Sequence, residues 1–197
     1  DHYQGGYHHF PIEHAKNIKT WTFDKVRYSL LHWPLSTIRL SSTDKQKLID
    51  KASHLLERWK HYTNPDLMIV NHTEQTPHHT ITPVARKIKK TYQLDLILRS
   101  NYTNDDFPLG IYHPHEDKWH IKKENIGLIE AMGLAILPGR LNEELVDVKN
   151  YMMMNTPLPE RSLKHHIWAD KMKASYQGQW HHIDAIIEYE IGQIFES

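Results

Sequence analysis

Apolar and polar positions in the opening part of the chain follow a short period. Between Ile18 and Leu40 the runs KTWTFD, KVRYSLLHW and STIRLSS are rich in β-branched and aromatic residues, which predicts extended segments. Pro34 separates two of them. The period then lengthens. Leu48, Ala52, Leu55, Leu56 and Trp59 recur at helical spacing, so a helix is expected from an N-cap at Thr43 to about Tyr62, stopped by Asn64–Pro65. Between Thr76 and Ser100 the runs HTITPVARK and YQLDLILRS predict two more strands. In the second, Leu94, Leu96 and Leu98 take one side while Asp95 and Arg99 share the other with Ile97.

TNDDFPLG reads as a loop and IYHPH as a short extended segment. IGLIEAMGLAIL is apolar enough for strand or helix. Gly127 and Gly133 weaken a helix and Pro138–Gly139 ends the run, so a strand with a bend is expected. The last third predicts helices over Asn142 to Met154, Glu160 to Ser175 and Gln179 to Phe195. In the last of these, Ile183, Ile186, Ile187, Ile191 and Ile194 make a buried stripe. With no internal repeat and no linker, the pattern reads as one α+β domain over residues 1–197, built on an antiparallel sheet, with 142–197 its helical part.

Composition narrows the function classes. The 197 residues, 23.4 kDa, are 39% hydrophobic and 24% charged, which excludes global disorder. No apolar run is long enough for a membrane-spanning helix. Lys plus Arg and Asp plus Glu are both 24, which offers no electrostatic reason to bind nucleic acid or an anionic membrane. Cysteine is absent, so thiolate metal sites and disulfides are excluded from these residues. Histidine is the outlier at 17. Unperturbed, these imidazoles would carry the chain from zero net charge, with all of them neutral, to roughly +13 at pH 6. They are either solvated or, in part, metal ligands and catalysts. The chain opens on DHYQGG, without a methionine or a signal peptide pattern, and is expected to be the C-terminal piece of something longer.

Four clusters could carry chemistry. In His2-Tyr3-Gln4-Gly5-Gly6, extended backbone puts His2 and Gln4 on one face. An imidazole there can attack phosphorus, an amide can hold phosphoryl oxygens, and the two glycines admit a ligand close to the backbone. The alternative is an inert chain end. In Ile111-Tyr112-His113-Pro114-His115 two imidazoles at strand spacing can share a metal, and Pro114 locks the backbone between them. Chance alone gives about 1.4 such pairs at this histidine content, so the spacing by itself is weak. In Pro77-His78-His79-Thr80 only one imidazole can face the core of a strand, and the other should be solvated; Glu13, His14 and the pair His8–His9 are further ligand candidates or plain surface residues. Trp119 to Asn125 carries KKEN, which either holds phosphate and sugar hydroxyls or is a solvated junction. No Walker loop, GxGxxG, GxSxG or HExxH is present.

Several of these stretches fall together. DHYQGGYHHFPIE, HHTITPVARK, LDLILRSNYT and GIYHPHEDKWHIKKENIGLIEAMGLAILPGRL, in this order, resemble the C-terminal half of the class II (bacterial) UDP-glucose–hexose-1-phosphate uridylyltransferases, the galactose-1-phosphate uridylyltransferases. The resemblance covers the chain from its start to about Leu141. It implies a histidine-triad-like α+β fold on antiparallel sheet. It implies transfer of UMP from UDP-glucose to galactose 1-phosphate, giving glucose 1-phosphate and UDP-galactose in the Leloir pathway, in the cytoplasm.

The resemblance also implies residue roles. The ping-pong mechanism of the class I relatives runs through a uridylyl-histidine in an HxHxQ motif. That motif matches here as an absent His followed by Asp1, His2, Tyr3 and Gln4, so His2 would be the nucleophile and Gln4 would bind the transferred phosphoryl group, beside Gly5 and Gly6. One divalent metal, iron or zinc, would take Glu13, His78, His113 and His115; no organic cofactor is needed. The zinc site that class I builds from cysteines has no counterpart here. Lys123, Asn125 and Glu130 would contact the hexose. The family usually reads HN where this chain has His78-His79, which makes His79 the more replaceable. The implied partners are UDP-glucose, UDP-galactose, hexose 1-phosphates, the absent N-terminal half and, as an option, a second copy in a homodimer; nucleic acid and membrane are not among them. The competing readings are a non-catalytic metal- or sugar-nucleotide-binding module, and a dinucleoside polyphosphate phosphorylase or hydrolase of the same superfamily.

Overall fold

The computed structural model describes residues 4–196, which form two compact units. The first comprises residues up to 113 together with 126–134, and the second comprises 114–125 together with the chain from 135 onward.

The first unit is built on a five-stranded sheet. Strands β1 (Asn17–Phe23), β2 (Val26–Leu31), β3 (Thr37–Ser42), β6 (His79–Ile88) and β7 (Thr91–Ser100) lie in the order β1-β2-β3-β7-β6, and every neighbouring pair is antiparallel. Helix α1 (Lys45–His61) and a small hairpin of β4 (His72–Thr73) and β5 (Thr76–Pro77) come between β3 and β6. The β1–β2 turn puts Asp24 and Lys25 both at positive φ, which matches the right-handed twist of the strands it joins.

Period-two alternation divides the sheet into two faces. On one, Val26, Tyr28, Leu40 and Leu96 pack with Leu48 of α1, joined by Ile38, Ala52, Leu55, Ile81 and Leu94. On the other, Leu31 and Ile97 pack with Ile12, Ala131 and Met132. The split of Leu94 and Leu96 from Ile97 is the one the sequence pattern predicts. Each fully buried aliphatic side chain contributes roughly 1.5–3 kcal/mol. Helix α1 starts one residue later than expected: Asp44, not Thr43, is the N-cap, its carboxylate accepting the Lys47 N–H at 3.1 Å.

The apolar run 126–137 is not a strand. Gly127 caps a four-residue helix, α2 (Leu128–Ala131), which Gly133 at φ +100° ends. The run lays Ile126, Leu128, Ala131 and Met132 across the sheet face without entering the sheet. The Trp33 indole seals it by donating to the Ala131 carbonyl at 3.0 Å. A Cβ at residue 133 would lie 2.7 Å from that ring, so both the φ and the close approach require glycine. IYHPH is likewise not extended: turns occupy 111–113, and a 3₁₀ turn, Glu116–Lys118, follows His115.

The second unit is helical. It contains α3 (Leu141–Met154), a 3₁₀ segment Glu160–His165 running into α4 (His166–Ser175), and a 3₁₀ turn Trp180–His182 leading to α5 (Ile183–Glu196). Its core joins Ile121, Leu141, Val148, Met152, Ala169, Met172, Ile183, Ile186, Ile187 and Ile191, with Ile194 packed against it, so the isoleucine stripe expected in the last helix is the buried one. Asn155 in the left-handed conformation ends α3. Among the described residues, no helix is long and apolar enough to cross a membrane.

Candidate active site

The expected nucleophile, His2, lies outside the described residues. Gln4, Gly5 and Gly6 are exposed coil, and a Cβ at either glycine would meet nothing within 4 Å, so nothing in the surroundings described here demands glycine. The segment is anchored immediately downstream. Pro11 opens a 3₁₀ turn, Pro11–His14, in which Ile12 is fully buried and donates its N–H to the Met132 carbonyl at 3.2 Å.

A buried ion cluster holds the same turn. Arg39 and Asp95 stand opposite each other in the β3–β7 register. The guanidinium binds the carboxylate through Nε at 2.6 Å and Nη2 at 2.8 Å, and Nη2 also reaches the Ile12 carbonyl at 2.8 Å. Arg86 of β6 donates to Asp95 Oδ2 at 2.8 Å, the oxygen that also accepts Arg39 Nη2, and to Gln93. Asp95 has no exposure at all, and two guanidiniums compensate its charge. Sequence reading gave Asp95 a face but no partner. The available signal was a charged residue between apolar neighbours on each of two strands, Arg39 between Ile38 and Leu40, and Asp95 between Leu94 and Leu96.

Two of the expected metal donors, Glu13 and His78, make local side-chain contacts. One Glu13 oxygen accepts the Phe10 N–H at 3.0 Å and the other lies 3.1 Å from His9 Nδ1. Burial works to raise the Glu13 carboxyl, but these two bonds and the charge of Arg86 outweigh it and hold it below the ordinary carboxylate range. His78 Nε2 lies 2.8 Å from Thr73 Oγ1, beside the edge of the Tyr102 ring. Burial, helped by the neighbouring His79 and His72 imidazoles, pushes His78 down. His113 ends the first stretch of the first unit, after a turn that returns its N–H to the Gly110 carbonyl, and His115 belongs to the second unit, where its carbonyl starts the next turn. Strand spacing therefore does not describe this pair. Among the described residues, no three His, Asp or Glu side chains are grouped so as to hold a metal ion.

His78 and His79 are both buried, against the expectation that one would be solvated. The β4–β5 hairpin, which sequence reading missed, supplies Thr73 over His78. The Trp59 ring stacks on His79 at 4.0 Å, and the Trp59 carbonyl lies 2.8 Å from its Nδ1. Of the expected hexose contacts, Lys123 and Asn125 are exposed in the second unit, with Lys123 Nζ 4.8 Å from the centre of the Trp119 ring. Glu130, in the first unit, uses Oε2 to accept the Gly127 N–H at 2.8 Å and so caps α2.

The second unit contains a polar cluster not foreseen from the sequence. Glu144 sits in the apolar stripe of α3 between Leu141 and Val148, which was the only signal. Its carboxylate takes Arg140 and Lys164, both at 2.5 Å, and stands 3.0 Å from His165 Nε2. Burial works to raise its pKa, but Lys164, His165 and Arg140 outweigh this and hold it at about 2. Arg140 also binds the carbonyl of His120 at 2.9 Å, with those of Trp119 and Ile121 at 3.5 and 3.4 Å, fixing this turn.

A family model described as galactose-1-phosphate uridyl transferase, C-terminal domain, matches residues 2–170. A galactose-1-phosphate uridylyltransferase from Staphylococcus carnosus is 46% identical over 202 residues, all of this chain and 40% of that protein. Two from Streptococcus pneumoniae serotype 4, galactose-1-phosphate uridylyltransferases 1 and 2, are 43% and 45% identical over 200 residues, 99% of this chain and 40% of each protein. The chain therefore spans about two fifths of the length of these relatives. No solved structure matches it. The chain belongs to the galactose-1-phosphate uridyl transferase family, in the part that forms its C-terminal domain.

Proposed function

We propose that this chain, as the C-terminal domain of a galactose-1-phosphate uridylyltransferase, supplies His2 as the nucleophile for transfer of UMP from UDP-glucose to galactose 1-phosphate. The observation that carries this reading is the 43–46% identity, along essentially the whole chain, to proteins bearing that name. The matched region begins at residue 2 and so includes the His2-Tyr3-Gln4 segment.

In the first half-reaction an imidazole nitrogen of His2 attacks the α-phosphorus of UDP-glucose. A P–N bond forms, the P–O bond to the second phosphate breaks, and glucose 1-phosphate leaves with the electron pair. In the second, a phosphate oxygen of galactose 1-phosphate attacks the same phosphorus, the P–N bond breaks, and UDP-galactose leaves. Splitting the exchange in two lets one pocket serve both sugars in turn. Gln4 donates its side-chain amide to the phosphoryl oxygens as charge builds on them. The Arg39–Asp95 pair fixes the carbonyl of Ile12 and so the point from which the active segment leaves the sheet. The histidine-triad-like character of the sheet belongs to this reading, as do Lys123, Asn125 and Glu130 at the hexose.

The test is the intact mass of the full-length protein after incubation with UDP-glucose. The expected result is a gain of one UMP, mapped to His2, discharged by galactose 1-phosphate and absent in His2→Ala. UDP-glucose binding with no adduct would replace the transferase with a non-catalytic sugar-nucleotide-binding module. Discharge by water or inorganic phosphate alone would make it a hydrolase or phosphorylase.

A further inference from the structure

The last turns of α1 leave a groove against the sheet, with a volume of about 520 Å³. Its floor is apolar: Ile38 of β3, Leu98 of β7 and Leu55 of α1, each half-buried, together with Trp59. The floor is rigid. The Trp59 indole donates to the carbonyls of Thr80 and Arg99 at 3.0 and 3.1 Å, and its ring stacks on His79. The rim is polar and open, since His54, Arg58, His61 and Tyr62 line the groove and are all exposed.

The rim carries unused positive charge. Among the described residues, the side chains of Arg58, His54 and His61 make no hydrogen bond or ion pair. The carboxylate at the rim, Glu57, is held by Lys60 at 2.7 Å. Helix α1 as a whole has five Lys and Arg against two acidic residues. The rim therefore favours a negatively charged occupant. Tyr62 is 46% exposed, and Leu67 and Met68 just after it are 63% and 45% exposed. Arginine and aromatic residues around an apolar floor are the composition of a contact between polypeptides. A small molecule would be largely enclosed by its site, and this groove lies open.

Two facts choose the polypeptide. The chain matches a C-terminal domain and spans 40% of its relatives, so the rest of their length lies largely before the matched part. A tethered segment meets the groove at high effective concentration. A second copy is disfavoured, because a two-fold contact centred on the groove would set Arg58, His54 and His61 against their own counterparts.

We propose that this groove seats an acidic, apolar segment from the N-terminal part of the longer protein, with a carboxylate paired to Arg58 and apolar side chains over Ile38, Leu55 and Leu98. The site rests on the family assignment and not on uridylyl transfer, so a full-length protein that forms no UMP adduct leaves it standing.

Two measurements on the full-length protein test it. Arg58→Lys keeps the charge and adds an amine, which a carbodiimide joins to any carboxylate it touches. Mass mapping should find the peptide containing residue 58 linked to one from before residue 1. A link to a second copy, seen as doubled mass, or no link beyond Glu57, would overturn the proposal. In the wild type, hydroxyl radicals should oxidise Tyr62, and diethyl pyrocarbonate should acylate His54 and His61, at least about 10-fold more slowly than in urea. Rates within about 2-fold of those in urea would mean an open groove and refute the site. Arg58→Glu reverses the charge and should bring the rates back toward those in urea; full protection in that variant would refute an acidic occupant.

Discussion

Acidification should weaken the protein through His120, and the size of the loss can be worked out. The ordinary imidazole value is 6.5, and the folded chain holds His120 at about 4. Between these values the unfolded chain binds more protons, so stability rises with pH across the window and is lost as pH falls from about 6.5 toward 4. The gap corresponds to roughly 3.4 kcal/mol at 1.36 kcal/mol per unit. Water reaches the half-buried ring and trims this to about 2–3 kcal/mol. The assay is urea unfolding at pH 7, 6, 5 and 4, for the wild type and for His120→Gln, which keeps a donor toward His165 but does not titrate. Expected is a wild type that loses about 2–3 kcal/mol more than the variant over that range. His165, also lowered, contributes in the same direction and is common to both proteins. Glu144, held at about 2 against an ordinary 4.5, adds a further loss only as pH falls below about 4.5. Parallel losses in the two proteins would show that His120 titrates normally, and would remove the basis for a neutral His120.

Asp95→Asn removes the charge between Arg39 and Arg86, and breaking a buried pair in this way costs about 3–5 kcal/mol; a loss under about 1 kcal/mol in urea unfolding would contradict the reading of this cluster. Gly133→Ala places a methyl group 2.7 Å from the Trp33 ring and 2.8 Å from Pro11 at a φ of +100°, so a loss of at least about 2 kcal/mol and a changed Trp33 fluorescence are expected. A variant as stable as the wild type would mean the turn is built differently. Trp59→Phe loses an N–H shared by the carbonyls of Thr80 and Arg99, at 3.0 and 3.1 Å, and should lower stability by about 1–2 kcal/mol, read as the thermal midpoint; no change would show that the shared bond contributes nothing.

The chemistry of the candidate site was legible in the sequence only in part. The resemblance could single out His2, Gln4, His78, His113, His115 and Lys123 because such residues stand in recognisable strings. It could not say what each nitrogen touches. Thr73 reaches His78 only because a two-residue strand pairs beside it, and two-residue strands leave almost no pattern in a sequence. His79 is buried by Trp59, twenty residues earlier on α1. Glu144, His165 and His120 are far apart along the chain and meet through the packing of α3 against the segment before α4.

The sequence by itself determined the local periods. The alternation in β7, the helical spacing in α1 and the isoleucine stripe of α5 each depend on neighbours a few residues away, so the pattern predicts them and their buried faces. The tertiary structure alone decided the run 126–137, whose apolar side chains suit a strand or a helix equally. What settles it is long-range: Trp33 holding the Ala131 carbonyl, and Pro11 and Trp33 closing on Gly133. It alone also placed the charges inside, joining Arg39 to Asp95 and Glu144 to His165. A charge can stay buried only when partners from distant segments arrive to compensate it, and local spacing carries no record of those partners.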